Sequence, residues 1–134
     1  MKGILKLAKS DYKYANYAYL ELQQSSDEAD LNICAYHLQQ CAEKLLKYSL
    51  QKSQIPYDRT HDIALLVDLC LDNQIKVPEI IDAMSSTITS WATQSRYNSE
   101  FKASTRSLKK VLTCCKDWLD ELGLTEITLT QHIK

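Results

Sequence analysis

Glycine and proline are scarce: the 134 residues hold only Gly3, Gly123, Pro56 and Pro78. Sandwiches and barrels need many tight turns, and phosphate-binding loops need glycines where the backbone meets the ligand. Walker-type and Rossmann sites are therefore excluded. No apolar run approaches the roughly 20 residues that cross a bilayer, and no signal-like apolar segment stands at the N-terminus. A soluble, cytoplasmic protein is expected. An excess of either charge is also missing, since 16 Lys and Arg face 17 Asp and Glu for a formal charge of -1. The surface as a whole is not built to hold a polyanion, and any basic site must be local. The five cysteines, Cys34, Cys41, Cys70, Cys114 and Cys115, lack paired Cys-x-x-Cys spacing, and the three histidines are far apart. The cysteines read as reduced core thiols, with no metal site and no cofactor expected.

Length and helical periodicity are what the chain does have. At this size one domain can bury roughly two thirds of its unfolded surface. Apolar residues recur at three and four along five stretches, which predicts an all-α fold, an up-and-down bundle of four main helices with an additional short helix. The first helix spans about residues 6 to 24, with Tyr12, Ala15, Tyr19 and Leu22 on one face. The second, about 28 to 52, puts Leu31, Cys34, Ala35, Leu38, Cys41, Ala42, Leu45 and Ser49 on an inward arc. Thr60 is placed to cap a short third helix, and Pro78 suits the first turn of a fourth. A fifth, about 103 to 122, carries Leu108, Val111, Leu112, Cys115, Leu119 and Leu122, with Gly123 as its C-cap. The bundle is thus expected over residues 1–123, with 124–134 as a tail.

Three groups of residues could carry chemistry. Opposite the inward arc of the second helix, Gln40, Glu43, Lys44 and Lys47 stack as a polar stripe; the plain alternative is a solvated face with Glu43 and Lys47 as an i,i+4 pair. His61 beside Asp62 offers an imidazole with a carboxylate nearby for proton transfer, or else a histidine in a first helical turn and an acid that complements the helix dipole. Arg96 and Tyr97 combine a donor fork suited to phosphate with a ring that can stack on a base; the alternative is an arginine favourably near a helix C-terminus.

The run Tyr36-His37-Leu38-Gln39-Gln40-Cys41-Ala42-Glu43-Lys44-Leu45-Leu46-Lys47 resembles the signature of the HEPN family, the higher eukaryotes and prokaryotes nucleotide-binding domain. Thr60-His61-Asp62-Ile63-Ala64-Leu65-Leu66 is similar to that family's Thr-His-Asp-Leu segment, and Ser95-Arg96-Tyr97-Asn98 to its Arg-Tyr-Pro segment, with Asn98 where proline is common. The resemblance implies a helical nucleotide- or RNA-binding protein that works beside a minimal nucleotidyltransferase in a toxin-antitoxin-like module, as a homodimer with its site near the interface. It also implies that Lys44 and Lys47 contact phosphate while Gln40 reads a base or orients Arg96. Ribonucleases of the wider group pair an Arg with a His about four to six residues further on, without metal. Here Arg96 is followed by Tyr97, Asn98, Ser99, Glu100, Phe101, Lys102 and Ala103, and no His follows Arg106 before His132. Binding is therefore expected ahead of catalysis, with a diverged ribonuclease acting through His61 or His37, or a purely structural bundle, as the alternatives.

Overall fold

A computed structural model of the chain describes the backbone of residues 2–25, 27–97 and 103–133, and the side chains of 3–25, 27–92 and 103–123. The fold is all-helical, with no strand among the described residues: α1 (Lys2–Ser25), α2 (Glu28–Lys52), α3 (Ile63–Asp72), α4 (Glu79–Ala83), α5 (Ser85–Tyr97) and α6 (Thr105–Ile133). No described helix is long and apolar enough to cross a membrane.

Helix α2 is the centre of the molecule, packed against α1, α3, α5 and α6, and most extensively against α1. It begins where the Asp27 carboxylate accepts the Ala29 N–H at 2.9 Å, and Glu28 and Asp30 complement the dipole of its first turn. Alanines on both partners, Ala8, Ala15 and Ala18 on α1 and Ala35 and Ala42 on α2, are buried and let the two backbones approach closely. Leu5 and Leu22 complete the inner face of α1, with Tyr12 and Tyr19 half-buried at its edge. Trp91 and Ile88 of α5 and Leu108, Val111 and Cys115 of α6 fill the core on the remaining sides.

Four features depart from the sequence-based expectation. Thr60 does not cap α3: the helix starts at Ile63, and Asp62 is the N-cap, accepting from the Leu65 N–H at 3.3 Å. The Thr60 hydroxyl accepts the Asp62 N–H instead, at 3.1 Å. Pro78 likewise precedes its helix as the N-cap of α4. The expected fourth helix divides at Met84, just before Ser85-Ser86-Thr87, where intrinsic helix propensity is weak. Lastly, no stop occurs at Gly123, because α6 continues to Ile133 and no glycine has a positive φ. A left-handed C-cap needs that φ, and without it glycine is simply a weak helical residue.

Helices α2 and α3 end alike and without glycine. Gln54 (φ 59°) and Gln74 (φ 57°) adopt the left-handed conformation. The Ile55 N–H reaches back to the Leu50 carbonyl at 2.9 Å and that of Gln54 to Gln51 at 3.0 Å; Ile75 to Cys70 and Gln74 to Leu71 repeat the pattern at 2.9 and 3.1 Å. These are Schellman motifs, closed by Ile55 and Ile75 packing on the core.

Candidate functional site

The polar stripe on α2 is not a solvated face. Because α2 has neighbours on several sides, Gln39 and Glu43 are buried to 0% and 4% exposure, and the Lys44 and Lys47 side chains are only 21% and 14% exposed. A buried carboxylate costs several kcal/mol unless it is fully paired. Glu43 is: Lys47 Nζ reaches Oε2 at 3.1 Å, while Gln39 Nε2 and His61 Nδ1 reach Oε1 at 3.0 and 2.9 Å. Burial pushes the Glu43 carboxyl up, but the bonds from Gln39, His61 and Lys47, with the charge of Lys47, outweigh it and hold the group below its ordinary value.

A second carboxylate, Asp11 on α1, repeats the arrangement. Its Oδ1 meets His37 Nδ1 at 2.9 Å and its Oδ2 accepts from Lys44 Nζ at 2.6 Å. The two halves are joined, since Lys44 also donates to Gln40 Oε1 at 3.2 Å and Gln40 Nε2 donates to Gln39 Oε1 at 2.7 Å. One continuous seam thus runs His37, Asp11, Lys44, Gln40, Gln39, Glu43, and ends on both His61 and Lys47. Each imidazole meets its carboxylate through Nδ1, which makes Nδ1 the protonated nitrogen and leaves Nε2 for a ligand. His61 is 75% exposed, so its Nε2 is the open end of the seam.

Local structure explains how His61 is presented. The Thr60 turn and the Asp62 cap fix the backbone on either side of it, and Gln39 Nε2 lies 3.5 Å from its carbonyl. On the same flank, Gln51 donates to the Tyr57 hydroxyl at 2.7 Å, and Lys47 Nζ stands 5.9 Å from the centre of the Tyr57 ring. The α3 N-terminus is tied down as well: Thr89 Oγ1 accepts the Ile63 N–H at 3.0 Å and donates to the Ser85 carbonyl at 2.8 Å.

Of the residues singled out in the sequence, Gln40, Glu43, Lys44, Lys47 and His61 come together. Asp62 does not join them, because its carboxylate caps α3. The carboxylate beside His61 belongs to Glu43, not to its sequence neighbour. Lys44 and Lys47 are not free cations, since each already faces a carboxylate. Arg96 and Tyr97 close α5, and their side chains lie outside the described residues. Sequence reasoning missed Asp11 altogether and passed over Gln39. Asp11 sits one residue before Tyr12 on the stripe read as core, and no spacing within α1 reveals that it faces the lysine and histidine of α2.

Among the described residues no group of three His, Cys, Asp or Glu side chains is arranged to hold a metal ion. Burial pushes the Cys34 thiol up to about 12 and that of Cys70 up to about 11, as suits core residues and not nucleophiles. What the seam can do chemically is offer an exposed imidazole backed by a buried carboxylate, beside half-buried ammonium groups.

No curated protein and no solved structure matches the chain. One family model does, that of the HEPN domain, over residues 4–123, a stretch that contains the whole seam. A match of that extent, together with the all-helical fold, means that the chain belongs to the HEPN domain family.

Proposed function

We propose that the chain is a nucleotide- or RNA-binding helical protein that works as a homodimer beside a minimal nucleotidyltransferase in a toxin-antitoxin-like module. The family supports the nucleotide- or RNA-related part of this reading. The observation that supports ligand binding is the open end of the seam, where His61 and Lys47 share Glu43 and Lys47 stands beside the Tyr57 ring. An imidazole and an ammonium group beside a ring suit a phosphate and its base.

Exposed apolar residues on the same face support the homodimer part of the reading. Leu7 and Tyr14 on α1 and Ile33 on α2 are large apolar residues left exposed. On α2, Ile33, Gln40, Lys44 and Lys47 follow a spacing of seven, four and three, so they share one strip, and the Tyr14 ring lies 5.6 Å from that of His37. Residues facing away from one bundle can meet the same residues on its twin, as a two-fold axis requires.

Equilibrium binding of ATP, AMP and a short single-stranded RNA to the purified chain tests the reading. Binding that weakens on raising salt from about 50 to 200 mM, and several-fold in His61→Ala, is the expected result. Absence of binding by all three ligands would leave a structural bundle. Cleavage of the RNA by the chain, lost in His61→Ala, would move the function to the ribonuclease alternative.

A further inference from the structure

On the far side of α2 from the seam lies a cleft of about 730 Å³ between the end of α2, the link from α3 to α4, and α6. At 100° per residue, Ser49 is about 200° round α2 from Lys47, so the helix itself separates the two sites. The volume suits a small organic molecule, for which pockets run from roughly 300 to 1,000 Å³.

The walls define its chemistry. Ile75, Pro78, Ile80, Trp118 and Leu122 supply an apolar lining. Three lysines reach it from three separate stretches: Lys52 at the end of α2, Lys76 in the link before α4 and Lys110 on α6. No ion pair joins these three ammonium groups to an acid among the described residues. Asp117 and Glu121 stand on the α6 wall, so the lining stays positive by one charge. Cys114 also lines the cleft, half-buried where the other four cysteines are buried. Burial, then the nearby Asp117 and Cys41, push its thiol up to about 11, so it serves as wall and reacts only slowly with thiol reagents at neutral pH.

We propose that this cleft is a second binding site, for a small amphipathic anion: a ring or short hydrocarbon body carrying one carboxylate, sulfonate or phosphate. The body lies against Trp118 and its apolar neighbours, and the head meets the lysines. A neutral apolar ligand would leave the ammonium groups uncompensated, and a highly charged one would meet Asp117 and Glu121.

The probe is 8-anilinonaphthalene-1-sulfonate, titrated at pH 7 into the folded chain and followed by its own fluorescence and by energy transfer from tryptophan. Saturable binding of one dye per chain is expected, displaced by laurate. The double variant Lys52→Glu, Lys110→Glu, shown to be folded by circular dichroism, should weaken it by about ten-fold, as reversal of two nearby charges would do at an exposed rim. Maleimide labelling of Cys114, read by peptide mass, should slow in the presence of dye, whereas His61→Ala should leave dye binding unchanged. That last control separates this site from the seam, so either can fail alone. No binding by the folded chain, equal affinity for the uncharged parent N-phenyl-1-naphthylamine, or binding that ignores the double variant and leaves Cys114 labelling unprotected would overturn the proposal.

Discussion

Glu43 accepts from three donors while almost wholly buried, so its removal leaves Gln39 and Lys47 without their partner inside the protein. Glu43→Ala should lower stability by about 3 kcal/mol in urea unfolding, and Glu43→Gln by less, since the amide keeps an acceptor oxygen. The pH dependence has a definite sign. A carboxyl held below its ordinary value in the folded state contributes stability that is fully present above that value, 4.5, and is lost as pH falls through the lower folded value. Melting temperature should therefore drop below about pH 4.5, and the drop should be smaller in Glu43→Gln. His61 is mostly exposed, and His61→Ala should cost under about 1 kcal/mol in the same assay while weakening ligand binding. The i,i+4 relation of Glu43 and Lys47 was legible in the sequence because it lies within one helix. Their burial was not, since exposure depends on how many neighbours surround α2. The pairing of His61 with a carboxylate 18 residues earlier was hidden for a similar reason: adjacency along the chain favoured Asp62, whose oxygen the helix start claims first.

Periodicity placed the helices well, and turn chemistry placed their ends badly. Glycine is the usual signal for a helix stop, yet here glutamine takes the left-handed position and Gly123 stays within a helix. The stretches Lys52-Ser53-Gln54-Ile55 and Asp72-Asn73-Gln74-Ile75 share the pattern that does stop a helix: a small polar residue, Gln, then an isoleucine able to fold back onto the core. Gln54→Gly and Gln74→Gly should each stabilise the chain by about 0.5–1 kcal/mol, because the left-handed conformation carries no side-chain penalty in glycine. Gly123→Ala should also stabilise, by a similar amount of about 0.5–1 kcal/mol, since a Cβ there meets nothing within 4 Å and the residue is helical. Were Gly123 a left-handed cap, the same change would destabilise, so the sign of the shift in denaturant midpoint decides between the two. The break at Met84 stands just before a stretch of weak helix propensity, Ser85-Ser86-Thr87. Just beyond it Thr89 is tied to the start of α3, a tertiary bond that no local pattern reveals.

At the scale of the whole molecule, α2 separates two faces, the seam with its exposed Leu7, Tyr14 and Ile33 on one and the lysine-rimmed cleft on the other. If a second copy covers the first side, Ile33→Glu with Tyr14→Glu should convert a sedimenting dimer into a monomer with unchanged helical circular dichroism. A wild-type chain that sediments as a monomer at high micromolar concentration would remove the homodimer from the proposal. The all-helical class and the family were open to sequence reasoning because they rest on repeated spacing and ordered motifs. The cleft was not, as its walls come from three stretches that only the packed fold brings together.

The seam also has an order of assembly. Asp11, His37, Gln40 and Lys44 lie on two consecutive helices that form the most extensive contact in the fold, so that half needs only the closing of α1 on α2. Early closure comes from the extent of that helix–helix contact and not from chain separation, since the Asp11 pairings span 26 and 33 residues and the Glu43–His61 pairing 18. The other half waits for the Tyr57 loop and the start of α3. During synthesis the Asp11 pairings can form before His61 has emerged, and Glu43 spends that interval with Lys47 and Gln39 alone. A substitution at Ala15 or Ala42 should accordingly slow refolding, whereas His61→Ala should leave the refolding rate unchanged and act on unfolding.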